Sequence, residues 1–223
     1  MTDAHCHVSC GDSSVRELLI GRDFFGVHPW ETLEECKVES VKCKVEGELR
    51  SKLLANPAAG VGEIGLDRLK VRDIPPLMRE VFEAQLMLAL ELNRPVVLHG
   101  AKCWGQVVAT IRKLTTHDSQ LTAFLFHGFS RSDGLIPDIV KLNGFISVGP
   151  AVLNDHAVNY RALVKKIPLD RLLVETDAVV EARVPTRPHI REVLEKTAKI
   201  LGVSSAELER ITDENADRFL GVV

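Results

Sequence analysis

The sequence predicts an α/β fold whose parallel strands close into a barrel, and three observations predict it. Short apolar runs alternate with longer helical patterns along nearly the whole chain. Most of those runs are rich in Val, Ile, Leu and Phe without strict alternation, as strands covered on both faces are. The βαβα order calls for a parallel sheet, and this many units favours closure over an open sheet.

The apolar runs occupy 1–8, 23–28, 58–66, 95–99, 121–127, 144–148 and 171–177, giving seven strand candidates. Helices are predicted between them. Over 76–92, Met78, Phe82, Leu86 and Ala89 form one stripe, with Glu80 and Glu83 elsewhere. Asn93 stops this helix, and Arg94-Pro95 opens the next strand. Shorter helices are expected over 105–114, 134–142 and 154–166, the last stopped before Pro168. The Lys/Glu-rich stretch 34–52 reads as the solvated face of a helix. No strand can be read after Asp177. Instead, 189–201 carries Ile190, Val193, Leu194, Thr197 and Leu201 on one side and ends at Gly202. Ser204 and Glu207 make a capping-box signature for a last helix ending near Leu220. No repeat, low-complexity tract or linker divides residues 1–223, so they read as one domain.

Composition bounds the function without choosing it. The chain of 223 residues is 45% hydrophobic and 26% charged, with ample apolar material for a core. A formal net charge of −3 gives no polybasic footprint for nucleic acid or anionic membrane. It leaves a nucleic-acid substrate open, because metal ions in a cleft supply a local positive field. Cys6, Cys10, Cys36, Cys43 and Cys103 are odd in number and set no disulfide framework, which points to a reducing compartment. No CxxC pair suggests structural zinc at Cys36 and Cys43. With no leader-like apolar run and no membrane span, the expected location is cytoplasmic and no membrane partner is expected. Nothing specifies an oligomeric state.

The chemistry is concentrated at strand ends. His5-x-His7 lies in the first run, His99 in PVVLHG, His127 in FLFHG, and His28 closes the run within FFGVHP. In a parallel barrel the active site gathers at the C-terminal ends of the strands. His5 and His7, two apart on a strand, share a face and suit a Zn²⁺-like ion. Glu63 sits inside the apolar, Gly-rich GVGEIGLD, where a carboxylate is costly unless paired or metal-bound. Asp177 ends RLLVETD, and the same burial argument applies. Glu175 shares its face and can act as a hydrogen-bonding partner behind the ligands. Asp67 is read as the cap of the turn that follows it. Together His5, His7, Glu63, His99, His127 and Asp177 suffice for two divalent ions (Zn, Mn, Mg, Ni or Co), with Glu63 able to bridge them. Asp177 can also accept the proton of an attacking water. There is no GxSxG elbow, P-loop or GxGxxG in the required context.

The order of these motifs resembles the TatD family of metal-dependent deoxyribonucleases, within the amidohydrolase-like barrel superfamily. The matching segments are DAHCH, GVHPW, GVGEIGLD, FEAQLMLALELNRPVVLH, HGFS, GFISVGP, LLVETD and TDENADRFLG, which span nearly the whole chain. The resemblance implies a distorted TIM-type barrel and two divalent metals. His5 and His7 would bind one with Asp177, Glu63 would bridge, and His99 and His127 would bind the other. His28 would lie near the substrate phosphate. It also implies hydrolysis of DNA phosphodiesters by a metal-activated water. The chain departs from the family pattern in places. One βα unit is missing between His7 and His28. Ala101 stands where the family often has Arg, so Lys102 becomes the candidate phosphate contact, as a point charge rather than a fork. Val179 replaces a common Pro, and the loop between Asp177 and Pro188 is short and lacks the usual Asn-x-Pro segment.

Trp30 and Trp104, both near strand ends, either stack on a base or cover the end of the barrel. His117, His156 and His189 lack strand-end context and read as surface residues; Arg183 and Arg187, in the loop after Asp177, either meet substrate phosphates or, the favoured reading, are ordinary surface charge. Two other functions remain in view. An amidohydrolase-type enzyme for a small lactone, amide or phosphate ester would use the same metals in a closed pocket, where DNA calls for a long open groove. A non-catalytic scaffold would not bind metal.

Overall fold

The computed structural model of the chain describes residues 1–34, 44–115, 122–179 and 189–222. The described residues form eight strands: β1 (Thr2–Cys6), β2 (Arg16–Leu19), β3 (Phe24–Phe25), β4 (Gly60–Asp67), β5 (Val96–Ala101), β6 (Phe124–Phe126), β7 (Gly144–Val148) and β8 (Leu172–Val174). β3 to β8 form one six-stranded parallel sheet in chain order, while β1 and β2 pair in a sheet of their own. Two seams stitch the sheets together. A single parallel bridge, Ile20–Phe24, links β2 to β3. At the other seam, Asp177 N–H donates to His5 O at 3.0 Å and His7 N–H to Ala178 O at 2.8 Å. The chain leaving β8 is thus tied to the C-terminal end of β1.

β2 corrects the strand count. It lies between His7 and His28, where a whole βα unit is expected to be missing, and only the helix is absent there. Its four residues begin exposed and end buried, so they carry no buried-strand signal. The turn into β3 is held by Leu19 N–H donating to the Asp23 carboxylate at 2.8 Å. β3 itself keeps only two residues of the expected 23–28 run.

The helices follow the sequence pattern closely. α1 is Glu31–Glu34, and a π-turn at Lys44–Leu49 runs into α2, Arg50–Ala55. The stretch 34–52 buries Val45 and Leu49 on its inner side, while residues 35–43, with Cys36 and Cys43, lie outside the described residues. α3, Pro76–Glu91, starts with Pro in its first turn, where the missing N–H costs nothing. It buries the expected stripe of Met78, Phe82, Leu86 and Ala89. α4 is Trp104–Leu114, and α5, Ile136–Lys141, is entered through a 3₁₀ turn. α6, Val158–Val164, is shorter than expected, because residues 154–157 form a turn in which Ala157 N–H donates to Asn154 O at 3.0 Å. α7 is Ile190–Leu201, and α8, Ser205–Leu220, is capped by Ser204 accepting from Glu207 N–H. His189 does more than a surface residue: its ring caps α7 by accepting from Arg191 N–H at 3.2 Å. His117, Arg183 and Arg187 lie outside the described residues.

Two apolar clusters organise the interior. The larger packs the outer faces of the strands, through Ile64, Leu98, Phe126 and Ile146, against the helices. The smaller gathers Phe24, Val97, Leu125, Phe145 and Leu173 from five strands with Phe219 of α8. Phe219 stacks on Phe24 at 5.8 Å and meets Phe145 edge-on at 6.0 Å, so it fills the inside of the ring at its base. Each such fully buried side chain contributes about 1.5–3 kcal/mol relative to exposure. α8 is fixed below β8 by Asn215, whose amide donates to Leu169 O and Leu172 O at 2.8 and 2.7 Å. Residues two apart on a strand share a face. His99 therefore stands above Val97, His127 above Leu125, and Glu175 and Asp177 above Leu173.

A candidate metal centre at the barrel mouth

Glu63 is the hub of this layer. It is buried on β4, and its two oxygens face different partners. Oε1 lies 2.5 Å from His99 Nδ1 and 2.6 Å from His127 Nε2, which are themselves 3.4 Å apart. Oε2 lies 3.3 Å from His7 Nε2 and 3.5 Å from His5 Nε2. Asp177 Oδ1 completes the second set, 3.6 Å from His5 Nε2 and 3.8 Å from His7 Nε2. Two local features let β4 and the end of β8 reach this centre. Gly65 packs so closely on β5 that a Cβ there would sit 2.0 Å from His99 O. Asp177 adopts a left-handed φ of 48°, which turns the chain inward out of β8.

The distances fit cation ligands in one set and hydrogen bonds in the other. Donor atoms around an ion with bonds of about 2.0–2.1 Å stand roughly 3.3 Å apart. His5 and His7 stand 3.3–3.8 Å from the facing oxygens of Glu63 and Asp177, close to that spacing and too long for good hydrogen bonds, and His5, His7 and Asp177 form one ligand set. Both His5 ring nitrogens are buried without a hydrogen-bond partner, and so is His127 Nδ1. Orphaned buried nitrogens among carboxylates fit a divalent ion well. Around Oε1 the groups have instead closed up into direct hydrogen bonds. His5, Glu63 and His127 also converge, with the His5 and His127 rings 4.1 Å apart, so His5 stands between the two sets.

The charges here are mutually dependent. Burial opposes a charge on His5, but the carboxylates of Asp177 and Glu63, 3.6 and 3.5 Å from Nε2, outweigh it and push its pKa up to about 10. For His99, burial is likewise outweighed by Asp67 and Glu63, and the value rises to about 9. Burial works against ionised Glu63, yet the surrounding histidines, His127 first, hold it well below the usual carboxylate range. Asp177 is lowered in the same way, chiefly by His5.

Behind the hub lie Glu175, which the sequence already places in that role, and two partners it does not, Asp67 toward His99 and Gln85 toward Val27. Asp67 is completely buried and saturated. Oδ1 accepts from Leu69 N–H at 2.5 Å, as the expected turn cap, while Oδ2 accepts from both His99 Nε2 and Trp30 Nε1 at 2.8 Å. His99 is thereby held with Nε2–H outward and Nδ1 toward Glu63. Glu175 is buried and accepts from Gly128 N–H at 2.8 Å and Ser147 Oγ at 2.5 Å, and burial raises its pKa. Gln85 of α3 clamps Val27, accepting from its N–H at 2.6 Å and donating to its C=O at 3.0 Å. That fixes the backbone beside His28. The signal for Asp67 was its place in GVGEIGLD; Gln85 had none, being one polar residue within a helical stripe.

His28 and Lys102, the two expected substrate contacts, occupy different walls. His28 Nε2 is 3.6 Å from Glu63 Oε1, near enough to group with Glu63 and His99. However, His28 Nδ1 accepts from Trp30 N–H at 3.1 Å, so the proton of the neutral ring is on Nε2. A protonated Nε2 donates to an oxygen and does not ligate a metal. Lys102 is exposed on the loop after β5. Trp104 is buried against Phe126 and Phe129, which resolves it as barrel-end packing. Trp30 is 38% exposed, with Lys70 Nζ 3.5 Å over its ring. His156 is exposed, as expected.

Two clefts open beside Asp177. One, of 630 Å³, is lined by Leu69, His99, Lys102 and Trp104 among others. The other, of 810 Å³, is lined by His156, Asn159, Tyr160 and Glu175 among others. They share Gly128, Ser130, Arg131 and Asp177, and so meet across the site.

Comparison with known proteins agrees with this geometry. Residues 21–221 match the family model described as TatD related DNase. The uncharacterized metal-dependent hydrolase YabD of Bacillus subtilis is 28% identical over 203 residues, covering 88% of this chain and 76% of that protein. The 3′-5′ ssDNA/RNA exonuclease TatD of Pectobacterium atrosepticum is 32% identical over 178 residues, 74% of this chain and 67% of that one. Among solved structures, the TatD homolog YJJV of Escherichia coli superposes with a TM-score of 0.74 at 24% identity, over 96% of this chain and 79% of that one. No helix among the described residues is long and apolar enough to cross a membrane.

Proposed function

The chain belongs to the TatD-related DNase family of metal-dependent hydrolases, and from that premise we propose that it is a two-metal phosphodiesterase acting on DNA as a single catalytic domain. The observation that carries this reading is the division of labour at Glu63. Oε2 faces His5 and His7, beside Asp177, Oε1 faces His99 and His127, and a carboxylate so placed would help hold both ions. Such ions would supply Lewis-acid polarisation of the scissile phosphoryl group and lower the pKa of the attacking water.

The protein's own groups do the rest. Asp177 turns Oδ1 to His5 and His7 and leaves Oδ2 to take the proton of the attacking water. His28 Nε2–H, fixed in its tautomer by Trp30 N–H, donates to a phosphate oxygen. Asp67 holds His99, and Glu175 stands 3.9 Å from His127 Nδ1 as its nearest carboxylate. The joined clefts suit an extended strand better than a small lactone or amide, which calls for a closed pocket.

The test is release of nucleotides from single-stranded and duplex DNA by protein loaded with Zn²⁺ or Mn²⁺. Hydrolysis that is lost in Asp177→Asn supports the reading. Intact DNA alongside turnover of a small lactone or amide by the same preparation refutes it.

A further inference from the structure

We infer that Lys102 and Arg131 form a subsite for a backbone phosphate next to the scissile one, an inference that rests on the phosphodiesterase reading above. The two residues come from adjacent loops. Lys102 follows His99 out of β5, and Arg131 follows His127 out of β6. Both line the 630 Å³ cleft, and Arg131 also lines the 810 Å³ cleft, at the junction where a strand crossing the site must pass. Both are exposed, and neither makes an ion pair or hydrogen bond with any described residue. Among the described residues lining these clefts, they are the only Lys and Arg.

The backbone points the same way. Lys102 has a φ of 56° and Arg131 a φ of 59°, the left-handed region that any residue with a Cβ enters at a cost. Lys102 holds this conformation three residues beyond His99, and Arg131 four residues beyond His127. The inner site is acidic, with Glu63, Asp67, Glu175 and Asp177 buried or facing inward. Ions there would offset that charge for the scissile phosphate only. A second phosphate on the same strand needs its own cations, and the outer wall of the cleft provides two unpaired ones. Arg131 offers a planar fork for two oxygens and Lys102 a point charge. A small uncharged substrate would meet neither.

The test uses a short single-stranded oligodeoxynucleotide with phosphorothioate links, which resists cleavage, bound to the metal-loaded full chain at a series of salt concentrations. For single strands each phosphate contact contributes about 0.7 to the slope of log affinity against log salt. The double variant Lys102→Ala/Arg131→Ala is expected to lower that slope by about 1.4, two contacts at about 0.7 each. Arg131→Lys should keep most of the slope while weakening binding. In parallel, KM for an ordinary oligonucleotide should rise at least tenfold more in the double variant than KM for bis(4-nitrophenyl) phosphate, which lacks a second phosphate. An unchanged slope with parental affinity overturns the subsite. Cleavage by the parent chain with an unchanged slope sinks the subsite alone. Binding without cleavage, with the slope lowered as expected, sinks the phosphodiesterase reading and keeps the subsite. No binding by the parent sinks both. Thermal melting confirms that these exposed substitutions leave the fold intact.

Discussion

The two arcs of the ring are built differently, and the site draws on both. From β4 to β7 each strand is paired on both sides and followed by a helix, and this arc carries Glu63, His99 and His127. From β8 through β1 to β3 the staves are short, a helix is missing, and both seams are sparse; this arc carries Asp177, His5, His7 and His28. The difference shows in the spacing. On the regular arc the ligand atoms have closed into hydrogen bonds of 2.5 and 2.6 Å around Glu63 Oε1. On the seam arc they stand 3.3–3.8 Å apart, with buried His5 nitrogens left unpartnered. Asp67 locks His99 on one arc, whereas no described residue hydrogen-bonds the His5 ring. A continuous ladder can support a dense shell of hydrogen bonds, while a stitched seam positions its ligands mainly by backbone.

The largest expected effect joins the arcs. Glu63→Gln removes the charge that both sets share and replaces one of its two oxygens with NH2, so both ions should be lost together and activity should fall well beyond the ~10–100-fold typical of outer partners. Metal stoichiometry and kcat read this. Retention of one full equivalent of metal in Glu63→Gln would mean that the arcs bind independently. Next comes Asp67→Asn, which acts on the regular arc alone. It should weaken one of the two binding events in calorimetric metal titration by about 10–100-fold and leave the other in place. Equal weakening of both would erase the distinction between the arcs.

Gln85→Ala probes the seam arc from outside the site. It strips the Val27 N–H and C=O of their buried partner, and should destabilise the fold by about 1–3 kcal/mol in denaturant unfolding. KM should rise with it, because His28 loses its anchor; a loss of stability with KM unmoved would leave Gln85 a purely structural clamp.

The smallest expected effect is on pH. The His5 and His99 values are raised to about 10 and about 9 in the metal-free protein. The stabilisation they bring is complete below about 6.5 and is lost as pH climbs through 9–10. Metal binding has the opposite sign, since an ion displaces those protons. Melting of the metal-free protein should therefore fall between pH 6.5 and 10, while the increment from added Zn²⁺ grows. A flat metal-free profile would mean that the carboxylates do not hold these rings charged.

The sequence alone determined the parts whose signal is local. Strand-end histidines, a carboxylate inside an apolar run and the stripe of Met78, Phe82, Leu86 and Ala89 are legible because burial and period act on neighbouring residues. The meeting of His5, His7, Glu63, His99, His127 and Asp177 could be expected from the rule that parallel strands present their C-terminal ends together. Tertiary structure decided the rest. β2 is too short to announce itself and exists because β1 and the turn at Asp23 hold it. Asp67 bonds His99 from another strand, Gln85 clamps Val27 from a helix, and Trp30 sets the His28 tautomer only once the β3–α1 loop has folded. These roles depend on which donor meets which acceptor across long stretches of chain, and that pairing is fixed by packing.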